Sequence, residues 1–376
     1  MIVQVFNSSV VSGPEALVIP ALPSLGEKVA VIFLSESRKG GFSKEPPAYA
    51  ASFGLEVHEV EVRSRWDRRA IRELGELLSR LSPRIVHAHE VKAAAYVAAA
   101  VPAKRSYRIF TTNHGIRAKR QWKLRLYEWL FTHRVMPRFD QVFCVCSSDR
   151  ELLLARGVPA EKVRVHLNGI DRPKVLNRAE ESRKIRESWG LRGLGVADSA
   201  ICFGVVGRLA PEKRHDYILR SFKRALELDS GLDAHLVIFG RGALEEELKR
   251  ETASLGIGNR VHWMGYRGTA GAEMAGFDAL LSLSIAEGLP INVIEAGWAA
   301  TPVLATAIDG NLDLMPGAEF GALVKVDDPE EKIAQELVRL ARDQGLRERL
   351  GLKLQSRVES SFSGTHWLEQ LKEFYR

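Results

Sequence analysis

Short apolar runs, many of them β-branched, recur along this chain, and stretches with helical spacing separate them. In the first half the strand candidates are residues 2–6, 28–34, 56–62, 84–88, 108–112, 141–146 and 162–167. In the second half they are 200–206, 234–239, 260–264, 279–283, 302–305 and 323–326. Between them lie segments such as 69–81, where Ile71, Leu74, Leu77, Leu78 and Leu81 share one helical face. Strands that are apolar nearly throughout belong to sheets covered on both faces, and strands separated by helices pair in parallel. A chain of 376 residues is long for one domain. The expected fold is α/β twice over, with a parallel sheet covered on both faces in each of two domains. Turn signals in Asn168-Gly-Ile-Asp-Arg-Pro173 and Leu191-Arg-Gly-Leu-Gly195 place the boundary between them. We expect domains at 1–170 and 171–359, with an aromatic last helix at 360–376 (Trp367, Phe374, Tyr375) packing back on the first.

Composition narrows the class. The three cysteines, Cys144, Cys146 and Cys202, make no disulfide framework, and Cys144 and Cys146 share one face of a strand as core residues do. No run approaches the ~18–20 apolar residues that span a bilayer. The first residues read as a strand rather than a signal peptide, so the expected location is the cytoplasm. A net charge of +7 points to an acidic partner without choosing among phosphates, nucleic acid and an anionic membrane.

Three features of the second half carry chemistry. Val205-Val-Gly-Arg-Leu-Ala-Pro-Glu-Lys213 is a strand end, a glycine turn and two cations before a helix. Gly207 lets backbone come close, and Arg208 and Lys213 can clamp a diphosphate or merely line a solvated rim. Gly240, Gly242 and Gly265 stand at two further strand ends, where missing side chains leave room for a planar base. Ordinary turns needing φ > 0 would use glycine equally well. Tyr266 and Arg267 follow the last of these strands. The third feature is Ser284-Ile-Ala-Glu-Gly-Leu-Pro-Ile-Asn-Val-Ile-Glu-Ala296. Pro290 suits a first helical position, so the amides of Leu289, Ile291 and Asn292 would form an anion site beside Gly288. Glu287 and Glu295 flank that site, where hydroxyl groups would give carboxylates a purpose; helix dipoles also favour acids there.

The two glutamates with seven residues between them, followed by Thr301-Pro-Val-Leu-Ala-Thr306 and Asp309-Gly-Asn311, resemble the signature of retaining glycosyltransferase family 4, of GT-B fold. Gly207-Arg-Leu-Ala-Pro-Glu-Lys213 is similar to that family's diphosphate clamp, and the glycine segments follow in its order. The resemblance runs from about 168 to 321 and implies two Rossmann-like domains whose parallel sheets face a central cleft. It implies that Arg208 and Lys213 hold the diphosphate, Glu295 the ribose, and Glu287 the transferred sugar. Asp309-Gly310 stands where Gly-Gly is common, and Asp313 where glutamate often follows, which leaves the donor sugar open.

The first half matches more loosely. Gly13 is nearest to the family's small-residue loop, without its double glycine, and His114 matches the histidine that touches the donor sugar. His87 and His89 also end a strand candidate, without a role that the resemblance assigns. The resemblance implies transfer of a sugar from a nucleoside-diphosphate sugar, UDP-linked in preference to GDP-mannose, to a hydroxyl of a glycan or lipid-linked acceptor. It implies retention. Arg208, Lys213 and the helix amides would stand in a metal's place and no Asp-x-Asp motif follows a strand in the second half, so neither cofactor nor metal is expected. The stretch 117–131 mixes Arg117, Lys119, Arg120, Lys123 and Arg125 with Trp122, Tyr127, Trp129 and Phe131, a composition suited to an anionic membrane face or an acceptor, or equally to a helix with a buried apolar stripe and solvated cations. No nucleic-acid module is recognisable. Two other classes fit a chain of this kind: a nucleotide-sugar epimerase, and a binding subunit that has lost catalysis.

Overall fold

The computed structural model describes residues 1–11, 13–36, 43–114, 129–171, 178–268 and 270–376. They form two compact units, Met1–Asn168 with Gly364–Arg376, and Gly169–Ser363.

The first unit holds a seven-stranded sheet: β1 Ile2–Phe6, β2 Val29–Glu36, β3 Glu56–Val62, β4 Ile85–His89, β5 Arg108–Asn113, β6 Gln141–Cys144 and β7 Val163–Val165. Its order is β3-β2-β1-β4-β5-β6-β7, and every pairing is parallel. Ile2 stands opposite both Val29 and Ile85, so β1 is central. The strand is fully buried, and its run is apolar but for Gln4.

Local chemistry sets the helices. The expected amphipathic segment is the helix Arg68–Leu81, whose Ala70, Leu74, Leu77 and Leu78 are buried. Asp67 caps it by accepting from the amides of Arg69 and Ala70, a contribution of about 1 kcal/mol. It stops at Ser82, in the left-handed region just before Pro83. The last helix, Gly364–Tyr375, belongs to the first unit through buried Trp367, Leu371 and Tyr375. Arg84 and Arg108 donate to the Tyr375 carbonyl at 2.6 and 2.5 Å, cations closing a helix C-terminus.

The second unit holds six parallel strands: β8 Ile201–Val206, β9 Ala234–Phe239, β10 Val261–Gly265, β11 Ala279–Ser282, β12 Val303–Thr306 and β13 Ala322–Val324. Their order is β10-β9-β8-β11-β12-β13. All three cysteines are buried and unpaired in disulfides, and burial pushes each thiol up, Cys202 to about 11. They are core residues. Among the described residues, no helix is long and apolar enough to cross a membrane.

Both sheets reverse their winding at the first strand. The chain lays β2 and β3 to one side of β1 and then returns to place β4 on the other; β8, β9, β10 and β11 repeat the manoeuvre. In open parallel sheets the crevice at the carboxyl end of such a switch point is where ligands bind. That rule selects the ends of β1 and β4 in one unit and of β8 and β11 in the other. A non-glycine residue with positive φ stands near each: Glu90 at 71°, directly after β4, and Arg214 at 53°, directly after Lys213. Left-handed backbone at such residues costs roughly 1–2 kcal/mol and tends to accumulate at functional sites.

Candidate active site

In the second unit the switch point is built from three stacked loops. The loop after β8 lies against the loop after β9: Gly207 N–H donates to Phe239 O at 2.9 Å and Leu209 N–H to Arg241 O at 3.0 Å. A Cβ on Gly240 would sit 1.9 Å from Gly207 O, and one on Gly242 would sit 2.2 Å from Leu209 O. Neither glycine has positive φ. Their role therefore differs from the expected one: the space their missing side chains leave is filled by backbone of the neighbouring loop, not kept open for a base. Gly265, at φ 66°, is the turn glycine.

The loop after β11 carries Glu287. Its Oε1 accepts from Lys213 Nζ and, at 2.6 Å, from Ser284 Oγ. Only 17% of the Lys213 side chain and 8% of the Glu287 side chain are exposed, so this ion pair is largely dry. Arg208 is placed otherwise. Its side chain is 65% exposed and its Nη2 donates to Glu212 Oε1 at 3.0 Å, a surface pair of at most about 1 kcal/mol. Lys213 is fixed in the floor of the site, whereas Arg208 can exchange its partner at little cost. Ile285 N–H donates to Glu212 O at 2.9 Å and ties the two loops together.

The helix of this loop is Ile291–Trp298. Pro290 is its N-cap, with φ −74° and ψ 116°, so the helix begins one residue later than the expected first position at Pro290. Val293 N–H turns in to Pro290 O at 3.2 Å, while Ile291 and Asn292 supply the first outward amides, next to buried Leu289. The Asn292 side chain donates to Val206 O at 2.8 Å and holds the helix to the end of β8. Behind Gly288 stands Gly310, whose Cβ would fall 1.4 Å from Gly288 O. Thr306 Oγ1 donates to Ser284 O at 2.6 Å, and buried Asn311 donates to Thr306 O at 2.9 Å. These supports were quoted in the sequence without a role.

Glu295 lies one turn inside the helix. A Cβ on Gly271 would come within 2.4 Å of its Oε1, so Gly271 makes room for the carboxylate. No hydrogen bond or ion pair to its side chain occurs among the described residues, and desolvation raises its carboxyl to about 7. A carboxyl desolvated in this way is costly to ionise, and such groups gather at functional sites. Tyr266 is exposed. Arg267 is engaged: it donates to Glu273 at 3.0 and 3.3 Å and lies 5.4 Å over the Phe239 ring. Like Lys213 on Glu287, it already has a partner within the protein.

Gly13 and His114 belong to the first unit. Gly13 opens the short helix Gly13–Val18. His114, just past β5, has Nε2 3.2 Å from His89 Nδ1. His89 in turn lies 2.7 Å from Gln4 Oε1. Burial lowers the ring pKa of His114 and His166 to about 4 and those of His87 and His89 well below the usual value, so all four are neutral near pH 7. Leu17, Val18, Val145 and Leu371 close the surroundings of this histidine group. Gln4 and Tyr375 were missed as functional candidates, although a glutamine interrupting Ile2-Val-Gln-Val-Phe6 is a signal. Arg117, Lys119, Arg120, Trp122, Lys123 and Arg125 lie outside the described residues; nearby Trp129 is exposed and Phe131 buried. Among the described residues, no three His, Cys, Asp or Glu side chains are grouped to hold a metal ion.

Residues 17–173 match Glycosyltransferase Family 4, and residues 192–356 match Glycosyl transferases group 1. The chain belongs to the family 4, group 1 glycosyltransferases. As a glycosyltransferase it has relatives with named activities. It is 26% identical over 82% of its length, and 79% of the relative's, to an Escherichia coli UDP-Gal:alpha-D-GlcNAc-diphosphoundecaprenol alpha-1,3-galactosyltransferase. It is 26% identical, over 60% of this chain and 57% of the other, to a Campylobacter jejuni transferase of N-acetylgalactosamine to a diphospho-undecaprenol glycan. Among solved structures, Anabaena HepE in complex with UDP-glucose superposes with a TM-score of 0.82 at 18% identity, covering 100% of this chain and 99% of that one. That likeness is one of fold: the glycosyltransferase is GT-B, with two Rossmann-like halves.

Proposed function

We propose that this glycosyltransferase moves a sugar from a UDP-sugar to a hydroxyl of a lipid-linked or glycan acceptor in surface-glycan synthesis, with retention of anomeric configuration. One observation carries the reading. At the switch point of the second sheet, two carboxylates flank the N-terminus of Ile291–Trp298, one held by Lys213 and the other desolvated, with no side-chain partner among the described residues. A nucleotide sugar has hydroxyls on both sides of an anionic diphosphate and matches that arrangement. Glu295 accepts from the ribose diol, Glu287 faces the transferred sugar, and the diphosphate takes the amides of Ile291 and Asn292 with Arg208 swung in from Glu212. His114 contacts the transferred sugar. The named activity of the Escherichia coli relative and the UDP-glucose bound by HepE favour a UDP-linked donor.

In the reaction the bond from the anomeric carbon to the leaving phosphate oxygen breaks and a bond to the acceptor oxygen forms on the same face. The acceptor hydroxyl proton passes to that phosphate oxygen. Arg208, Lys213 and the helix amides stabilise its growing charge, the part that a divalent cation plays elsewhere. We propose that no metal takes part; activity abolished by EDTA and restored by manganese would contradict this. With a lipid-linked acceptor, the protein works in the cytoplasm against an anionic membrane face.

A thermal-shift screen of UDP, GDP, ADP and their sugar conjugates, without added metal, tests the reading. The expected result is a shift with uridine ligands that disappears in Glu295→Ala. No shift with any nucleotide would remove the donor site, and with it the proposed activity.

A further inference from the structure

Several polar groups of the first unit join into one chain of hydrogen bonds, from Thr112 through the last helix to His114. His87 Nε2 lies 2.7 Å from Thr112 Oγ1, and His87 Nδ1 lies 2.6 Å from Tyr375 OH. Gln4 Nε2 donates to Tyr375 OH at 2.9 Å, and Gln4 Oε1 is 2.7 Å from His89 Nε2. His89 Nδ1 then meets His114 Nε2 at 3.2 Å. Gln4 is the member whose two ends differ, because its oxygen can only accept and its nitrogen can only donate. The hydrogen between Gln4 and His89 must therefore sit on His89 Nε2. A neutral imidazole protonated there has a bare Nδ1, which accepts from His114 Nε2–H. On the other side the Gln4 amide occupies a lone pair of Tyr375, whose hydroxyl donates to His87 Nδ1, and His87 Nε2–H donates to Thr112. Each ring in the chain then has one N–H and one lone pair in a consistent sense.

Packing holds the rings in place for this. His89 stacks on Phe6 at 4.3 Å between centroids and on His87 at 4.5 Å. Desolvation keeps the three histidines uncharged near pH 7, so each ring carries one N–H and one lone pair. Turning the Gln4 amide over would reverse every bond and move the His114 hydrogen to Nδ1. The tautomer of His114 is thus set by a residue in another strand that does not touch it.

We infer that Gln4 and Tyr375 are positioning residues that hold His114 as its Nε2–H tautomer, so that His114 Nδ1 meets a hydroxyl of the transferred sugar as an acceptor. The inference rests on the sugar-contacting role proposed above for His114. It ties the last helix of the chain, through Tyr375, to the reacting group.

The test is a long-range 1H–15N correlation spectrum of the full-length, 15N-histidine-labelled protein without substrate, with His114 assigned by its loss in His114→Gln. The expected spectrum has a protonated Nε2 and an unprotonated Nδ1 at His114. Gln4→Leu removes the acceptor that orients His89, and both rings should then give averaged shifts. Gln4→Glu keeps an acceptor for His89 Nε2–H and should restore the single tautomer. Transfer should follow the spectra, with kcat lowered about tenfold or more in Gln4→Leu and recovered in part in Gln4→Glu. A wild-type His114 protonated at Nδ1 would overturn the inference, as would a folded Gln4→Leu protein with an unchanged His114. The spectra need no substrate. A wrong tautomer beside normal transfer therefore breaks this inference alone, and absent transfer with the expected tautomer breaks the proposed function alone.

Discussion

The two sheets change direction in the same way, between β1 and β4 in one unit and between β8 and β11 in the other, yet their switch points are furnished in opposite styles. The second unit collects ionisable groups there: Lys213 on Glu287, Arg208 on Glu212, and the desolvated carboxyl of Glu295. The first unit collects neutral rings, His87, His89 and His114, joined through Gln4 and Tyr375. Topology locates both crevices, and the side chains decide what each is suited to hold. A charged floor with spare amides suits a diphosphate, whereas a neutral chain of fixed hydrogen-bond sense suits hydroxyl groups.

The largest expected effect is at Lys213. Replacing it with methionine leaves Glu287 buried without its cation, which should cost about 3–5 kcal/mol of stability. Denaturant unfolding reads this directly, and a change under 1 kcal/mol would mean that the pair is not the floor of the site.

Arg208→Ala should separate stability from catalysis. Its exposed pair with Glu212 contributes at most about 1 kcal/mol, so the melting curve should barely move. Turnover should fall by ~10²-fold or more, about 2.7 kcal/mol of transition-state stabilisation. An effect on KM alone would show that Arg208 binds the donor without acting on the leaving group.

Glu295 supplies a pH signature that the histidine crevice lacks. Its free carboxyl is raised to about 7. Donor hydroxyls bond better to the ionised form, so affinity should climb as pH rises through that value and level off above it. The gain in UDP-glucose affinity by calorimetry should be about tenfold between roughly pH 6 and pH 8, and flat in Glu295→Gln. A wild-type profile as flat as that of the variant would remove Glu295 from the ribose.

The smallest effect belongs to the neutral crevice. Tyr375→Phe deletes one hydroxyl from the chain and should cost about 1–2 kcal/mol of stability, with nucleotide affinity unchanged. Altered nucleotide affinity would break the division of labour between the two crevices.

The sequence was legible where structure is local or doubly buried. Parallel strands covered on both faces read as unbroken apolar runs, so all thirteen strands of the two sheets coincide with candidates, within a few residues at their ends. The charged loops were legible because Gly207, Lys213 and Glu287 follow strand ends in short motifs. Other features depend on partners distant along the chain. Gly240 and Gly242 are required by the backbone of Gly207 and Leu209, and Gly271 by the Glu295 carboxylate. The hydrogen bond from Gln4 to Tyr375 spans almost the whole sequence. Pattern reading pairs neighbours at fixed spacings, and none of these contacts has one.

Hydrogen–deuterium exchange with and without UDP tests most directly whether the charged switch point is the nucleotide site. Protection is expected in peptides covering residues 207–213 and 284–295, and it should be lost in Glu295→Ala. Unchanged exchange in both peptides at saturating UDP would contradict that assignment.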